Sequence, residues 1–295
     1  MSTRVAFLGL GTMGSRQAAV LARAGTDLTV HNRTAERARA WSRKHGGRVA
    51  GSPGDAAQGA EVVITMVIDG PQVESLLLGP EGAAGTAAPG ALFVDMSTIA
   101  PADARRIGER LRARGFGFVD APVTGSAAKA ADGTLTIMAG GEPEDVERAR
   151  PLLEVMGELV LHVGPLGHGQ TIKLIHNAVA AVNLATIAQA LVVGDRAGVD
   201  GDALVSVLRA GAAGSTMLER KGAAMREHDF TPLFKLDHML KDLRHCLDAA
   251  AAAGVCFPFA DAAAGLYATA SAQGLGEQDF AAVLTAVERS ADAPS

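Results

Sequence analysis

The sequence predicts an α/β protein in which an N-terminal, doubly wound parallel sheet is followed by an all-helical C-terminal domain. Three observations carry this. Short apolar runs alternate with helix-like stretches from Val5 to Val163. Beyond Gly164 the β-like runs cease, and the rest is rich in Ala and Leu with helical periodicity. A length of 295 residues suits two domains, and an apolar content of 48% supplies a core for each. The expected domains are residues 1–164 and 165–295.

Taken in order, Val5 to Leu8 reads as the first strand, Gly9-x-Gly11-x-x-Gly14 as the turn after it, and Met13 to Ala24 as a helix stopped by Gly25. Glycines suit a tight turn, a pyrophosphate approaching bare backbone, and a helix packed closely on the sheet. The free N–H groups of that helix would face the phosphates. The segment Gly9, Leu10, Gly11, Thr12, Met13 and Gly14 is therefore a candidate dinucleotide loop of Rossmann type.

The second apolar run ends at Asn32-Arg33-Thr34. An acidic residue about 20 positions after the turn would accept the adenine ribose hydroxyl of NAD. Here an amide and a guanidinium stand instead, and both can meet a 2′-phosphate that a carboxylate would repel. Asp27 and Glu36 lie too far along the chain to restore the acid. The expected cofactor is NADP in preference to NAD, with Asn32, Arg33 and Thr34 at its adenine end; the alternative is that Arg33 is a solvated charge at a strand end.

Further on, Ser52-Pro53-Gly54-Asp55 reads as a capped helix start and Val62 to Val67 as a strand. Asp69-Gly70-Pro71 opens the next helix, Ala91 to Met96 is a strand, and Pro101 starts a charged helix ending before Gly115. Phe116 to Val119, Leu135 to Ala139 and Leu159 to Val163 supply three more short runs, with Pro143 opening a helix between the last two. A helix from about Gly169 to Ala197 would be ~40 Å long and form the spine of the second domain. The apolar stretch Ala178 to Gly194 carries Asn183, Thr186 and Gln189, so it reads as a core helix rather than a membrane span.

A formal net charge of −5 and no long basic cluster give nucleic acid little footing. The N-terminus opens almost at once on a strand, without a basic head and removable apolar core. Cys246 and Cys256 form no CxxC and no paired framework, so both are expected to be buried small apolar residues in a reduced, cytoplasmic setting.

The segment Gly167-His168-Gly169-Gln170-Thr171-Ile172-Lys173-Leu174-Ile175-His176-Asn177 puts Lys173 and Asn177 four apart on one helical face. By position alone Lys173 reads equally as a lysine snorkelling near a helix start. Asp120-Ala121-Pro122-Val123-Thr124-Gly125-Ser126 and Asp132-Gly133-Thr134-Leu135 change that balance. With GLGTMG at 9–14, DMST at 95–98, and Lys241-Asp242, these blocks occur in an order that resembles the β-hydroxyacid dehydrogenases over nearly the whole chain. That group includes 3-hydroxyisobutyrate dehydrogenase, tartronate semialdehyde reductase and the glyoxylate/succinic semialdehyde reductases, and is related to 6-phosphogluconate dehydrogenase.

The resemblance implies that Lys173 is the catalytic lysine and Asn177 its substrate-positioning partner. It further implies that Thr124, Gly125 and Ser126 hold the substrate carboxylate, that Met66, Val67 and Thr98 line the nicotinamide side, and that Lys241 reaches the cofactor. Thr124-Gly125-Ser126 replaces the commoner Ser-Gly-Gly and looks nearer the glyoxylate/succinic semialdehyde branch, which often shows Asn-Arg-Thr after its second strand. The implied partner is a small carboxylated aldehyde or hydroxy acid, and the alanine-rich helical half is expected to make dimer or tetramer contacts, as in relatives.

His168 and His176, and likewise His238 and His245, lack a third ligand at suitable spacing, so no metal is expected. Two rival readings are an NADPH-dependent imine reductase, which generally lacks the lysine, and a non-catalytic dinucleotide-binding module, which typically replaces it.

Overall fold

A computed structural model describes residues 3–292. The chain divides into two compact units, Met1–Lys173 and Leu174–Ser295.

The first unit is built on one sheet. Strands β1 (Arg4–Leu8), β2 (Asp27–His31), β3 (Arg48–Val49), β4 (Val62–Thr65), β5 (Leu92–Asp95) and β6 (Gly117–Asp120) lie in the order β3-β2-β1-β4-β5-β6, all parallel. This is the doubly wound order, and it reverses between β1 and β4. The helices α1 (Gly14–Arg23), α2 (Ala35–His45), α3 (Pro53–Ala57), α4 (Gly70–Leu78) and α5 (Pro101–Arg112) make the crossovers. Both faces of the sheet are covered, which is why the strands read as continuous apolar runs rather than as alternation. Val5, Phe7, Val62, Ile64, Leu92 and Val94 belong to one core, and Ala6, Leu8, Val63 and Phe93 to the other.

Beyond β6 the sheet changes direction. Strands β7 (Val123–Thr124) and β8 (Leu135–Gly140) are antiparallel, and β9 (Gly157–Gly164) runs parallel to β8 on its other edge. The pairs Asp120 with Gly140, Val123 with Ile137 and Thr124 with Thr136 keep a single register, and the Met138 N–H donates to the Pro122 carbonyl between them. Strands β6 and β7 are thus one bent strand laid along β8. Helix α6 (Ala127–Asp132) follows β7 and packs beside α1, and α7 (Pro143–Met156) connects β8 to β9. The sheet is therefore mostly parallel, as expected, with an antiparallel return at β8.

Helix α8 (His168–Arg196) begins in the first unit. The split into compact units falls inside α8, and the first turn of α8 is fastened to the sheet by buried side chains described below. In the second unit the remainder of α8 shares a core with α9 (Gly201–Ala210), α10 (Thr216–Arg226), α11 (Leu236–Ala252), α12 (Pro258–Ala270) and α13 (Val283–Asp292). Along α8 the residues Leu174, Ala178, Ala181, Ala185 and Ala188 are buried at alternating spacings of four and three, a helix stripe turned to the core. Helix α8 is long and apolar enough to cross a membrane by composition alone, but this stripe packs against protein.

Asp279 organises the loop before α11. Its carboxylate, 2% exposed, accepts from Lys221 Nζ at 2.8 Å and from the backbone N–H groups of Leu233, Phe234 and Ala281. Cys246 is buried, but Cys256 is exposed, contrary to expectation. It lies in the short connection before α12, where the helix-like sequence context does not hold.

Candidate active site

At the switch point between β1 and β4, Gly9 has φ of +105°, and a Cβ there would overlap the Met66 carbonyl oxygen and lie 2.8 Å from Val67 Cγ1. A Cβ at Gly14 would overlap the Gly9 carbonyl oxygen. At Gly11 it would meet no atom within 4 Å. Two glycines are thus required by the packing of the loop, and the middle one presents bare backbone to open space. Leu10 is buried, Gly11 and Thr12 are exposed, and Met13 is half-buried ahead of α1. The fit to a dinucleotide pyrophosphate is good: an approachable backbone leads into the N-terminus of α1, with no acidic residue in its first turn.

Asn32, at the end of β2, is engaged within this loop. Its Oδ1 accepts from the Leu10 N–H and its Nδ2 donates to the Thr34 carbonyl, each at 3.0 Å. The amide expected to meet a 2′-phosphate therefore braces the glycine loop. Arg33 and Thr34 are exposed, and so is Arg37 in the first turn of α2, which the sequence reading did not single out. Arg33 and Arg37 have no ion-pair partner among the described residues. The acid between them, Glu36, is taken by Arg39 and Arg43, so two cations four positions apart suit a phosphate.

Met66 and Val67 are half-buried at the end of β4 and pack on Gly9. The Val67 N–H donates to Ser97 Oγ at 2.9 Å. Asp95 Oδ1 accepts from Thr65 Oγ1 at 2.7 Å and from the Ser97 N–H at 3.2 Å, so the segment after β5 is tied to the segment after β4. Half-buried Thr98 sits between two contacts of Gln170, whose Nε2 donates to the Ser97 carbonyl at 2.8 Å and whose Oε1 accepts from the Ile99 N–H at 3.0 Å.

Gln170 belongs to the first turn of α8, and Asp120 holds the same turn. The Asp120 carboxylate accepts from the Gly167 and Gln170 N–H groups at 2.7 and 2.8 Å, satisfying donors that a helix start leaves open. Gly169 permits this approach, since a Cβ would overlap the Met138 carbonyl oxygen and lie 2.8 Å from Asp120 Oδ2. Burial raises the Asp120 pKa to about 7 and the neighbouring Asp95 adds to the rise, against the two backbone N–H groups that favour the charged form. Asp120 and Gln170 were not identified from sequence as positioning groups, because their partners lie some fifty to seventy residues away along the chain. Lys173, half-buried, follows this anchored turn.

In the second unit, Asn177 is 5% exposed. Its Nδ2 donates to Asp242 Oδ2 at 2.6 Å, and its Oδ1 lies 3.0 Å from His176 Nδ1. A carboxylate only accepts, so Asp242 fixes which end of the Asn177 amide is the donor, and the His176 contact then requires the Nδ1–H tautomer. The other oxygen of Asp242, itself 1% exposed, pairs with Lys241 Nζ at 2.8 Å. One buried carboxylate thus orients two of the residues singled out in the sequence.

Thr124 closes β7 half-buried, Gly125 follows, and Ser126 is the exposed N-cap of α6, its Oγ accepting from the Lys129 N–H at 3.2 Å. They hang from the β7–β8 ladder.

The first unit matches the NAD-binding domain of 6-phosphogluconate dehydrogenase over residues 4–164, and residues 167–287 match the NAD-binding domain of NADP-dependent 3-hydroxyisobutyrate dehydrogenase. The chain is 38% identical to NAD-dependent L-serine dehydrogenase of Pseudomonas aeruginosa over 95% of its own length and 96% of that protein. It is 37% identical to 3-sulfolactaldehyde reductase of Escherichia coli, covering 97% of this chain and 96% of that one. The solved structure of Mycobacterium tuberculosis 3-hydroxyisobutyrate dehydrogenase with L-serine aligns with a TM-score of 0.87 at 33% identity, covering 99% of this chain and all of that one. Motif order, sheet topology and these full-length likenesses agree, and the chain belongs to the β-hydroxyacid dehydrogenase family as an NAD(P)-dependent dehydrogenase/reductase.

Proposed function

We propose that the protein is an NADP(H)-dependent oxidoreductase that interconverts a small β-hydroxy acid and its semialdehyde, with Lys173 as general acid and base. The observation that supports this reading is that Asn177, four residues after Lys173 in α8, has its amide oriented by buried Asp242. The nicotinamide, when bound, supplies or accepts the hydride at the carbon of the carbonyl. As charge develops on the carbonyl oxygen, Lys173 ammonium donates a proton to it; in the oxidative direction neutral Lys173 removes the hydroxyl proton. Asn177 contributes a hydrogen bond to that oxygen without competing for the proton. Thr124, Ser126 and the backbone at Gly125 take the carboxylate and so orient the carbonyl.

Preference for NADP rests on Arg33 and Arg37, two exposed cations where an acid would otherwise bind a ribose hydroxyl, with Thr34 between them. Gly9 to Gly14, Met66, Val67, Thr98 and Lys241 complete the cofactor assignments. The relative from P. aeruginosa is named as NAD-dependent, so cofactor choice is read from this chain's own residues. A cytoplasmic homodimer or homotetramer is the accompanying expectation.

The test is oxidation of NADPH, with NADH in parallel, against glyoxylate, succinic, tartronate and methylmalonate semialdehydes and one cyclic imine. Turnover of a carboxylated aldehyde with NADPH supports the assignment. Turnover of the imine alone would replace it with imine reduction.

A further inference from the structure

Gln170 is fully buried, and both ends of its amide are taken by main-chain groups. The Ser97 carbonyl accepts from Nε2 at 2.8 Å and the Ile99 N–H donates to Oε1 at 3.0 Å, so the amide grips the segment after β5 on both sides of Thr98. A carbonyl only accepts and an N–H only donates, which leaves the amide one orientation. Two such bonds fix rotation as well as distance. Ser97 is buried and held in turn: its Oγ accepts from the Val67 N–H at 2.9 Å, and its N–H donates to Asp95 Oδ1 at 3.2 Å. The Gln170 main chain is tied separately, its N–H donating to Asp120 Oδ2 at 2.8 Å. One residue thus joins the ends of β4, β5 and β6 to the start of α8.

Lys173 stands three positions further along α8, on the side of the helix that Gln170 occupies. The other residues of this turn offer no comparable hold. Gly167 and Gly169 have no side chain, His168 is exposed, and the Thr171 hydroxyl donates back to the Gly167 carbonyl at 2.8 Å, inside the turn itself. The side-chain anchor to the segment that carries Thr98 is therefore Gln170.

We infer that Gln170 is a positioning residue for proton transfer: it couples the turn carrying Lys173 to the segment assigned to the nicotinamide and keeps their separation fixed, given the role proposed above for Lys173. Such a group matters to rate more than to affinity, because a misplacement of about 1 Å at the reacting groups can cost about 10²-fold.

The experiment compares Gln170→Met and Gln170→Glu with the wild-type chain, Lys173→Ala and Thr171→Val, using NADPH with glyoxylate and the three semialdehydes named above. Turnover is expressed per NADPH-binding site, titrated by fluorescence, so that a misfolded fraction does not enter. Gln170→Met keeps the length of the side chain and loses both bonds. Its kcat per site should fall at least tenfold, with the Kd for NADPH changed less than threefold, and the solvent deuterium isotope effect on kcat should rise as proton delivery becomes the slow step. Without cofactor, amide hydrogen exchange over residues 167–173 should quicken at least fivefold in Gln170→Met and change less than twofold in Thr171→Val, which loses a bond that does not leave the turn. Gln170→Glu adds a pH readout: a neutral carboxylic acid donates and accepts as the amide does, whereas a carboxylate cannot donate to the Ser97 carbonyl. Its kcat per site should match that of Gln170→Met at pH 8.5 and recover at least fivefold relative to wild type at pH 5.5. Unchanged kcat per site, or unchanged exchange, in Gln170→Met while Lys173→Ala is inactive would overturn the positioning role and leave the proposed reaction standing. Fewer NADPH sites with normal turnover in each would overturn it too, assigning Gln170 to folding alone. Full activity of Lys173→Ala, or no turnover of any of these aldehydes by the wild-type chain, would overturn the reaction and this role with it.

Discussion

Asp120 gives a prediction with a sign and a size. Its carboxyl is held at about 7 in the folded protein, against 3.8 for the unperturbed group. Between those values the folded chain keeps a proton that the unfolded chain has released, so this residue's contribution is fully present below pH 3.8 and is lost as pH rises through 7. The slope reaches about 1.4 kcal/mol per pH unit, and the whole span amounts to about 4 kcal/mol as an order of magnitude. Asp120→Asn removes the ionisation. It also replaces one acceptor at the Gly167 and Gln170 N–H groups, but that loss is a constant offset and does not enter the slope. Urea unfolding at intervals from pH 4 to 8, followed by the fluorescence of Trp41, reads the unit concerned, because Trp41 is the chain's one tryptophan and lies in the core of the same unit. The wild-type protein should lose stability relative to the variant as pH rises from 4 to 7, and the difference should flatten above 7. Parallel curves would show that Asp120 ionises as freely as in the unfolded chain and would refute the account.

Three further outcomes follow from named contacts. Lys173→Ala should lower kcat by roughly 10²–10⁴-fold, while NADPH affinity measured by fluorescence titration stays within about threefold, as expected of a group acting on the proton alone; comparable loss of cofactor binding would reassign the residue. Arg33→Ala and Arg37→Ala should each weaken NADPH by about 1.5–3 kcal/mol, the range for a hydrogen bond to a charged group, and leave NADH nearly unchanged; equal losses for both cofactors would remove the phosphate contact. Asp279→Ala should cost about 3–5 kcal/mol of unfolding free energy, since it leaves the Lys221 ammonium, 12% exposed, without its partner; a change under 1 kcal/mol would mean that the loop re-forms its hydrogen bonds elsewhere.

The strands of the first unit were legible because a sheet covered on both faces needs uninterrupted apolar runs, and Val62 to Thr65 and Leu92 to Asp95 are short, β-branched or aromatic, and flanked by turn residues. Strand β3 escaped notice because it has two residues, both exposed, behind the Gly46-Gly47 pair. Strand β7 is equally short and owes its conformation to β8 rather than to its own composition. At the site, local motifs pointed to the residues but not to what they touch. Asn32 was visible as a residue type, and its bond to the Leu10 N–H was not. Asp242 was noted only as a neighbour of Lys241, because its bond to Asn177 spans 65 positions. Cys256 was misjudged because alanine-rich sequence around it suggested a helix, whereas the chain turns there between α11 and α12.

The single register shared by β6, β7 and β8 bears on how this enzyme can change. The residues assigned to the substrate carboxylate begin on a rung of the sheet, with Thr124 paired to Thr136, instead of standing on a loop of adjustable length. Inserting or deleting one residue before Thr124 would turn Val123 and Thr124 to opposite faces and expose an apolar side chain to gain a polar one. With Thr124, Gly125 and Ser126 in the role proposed above, new substrates are reached by exchanging side chains at fixed positions, and length variation is confined to the stretch beyond Ser126.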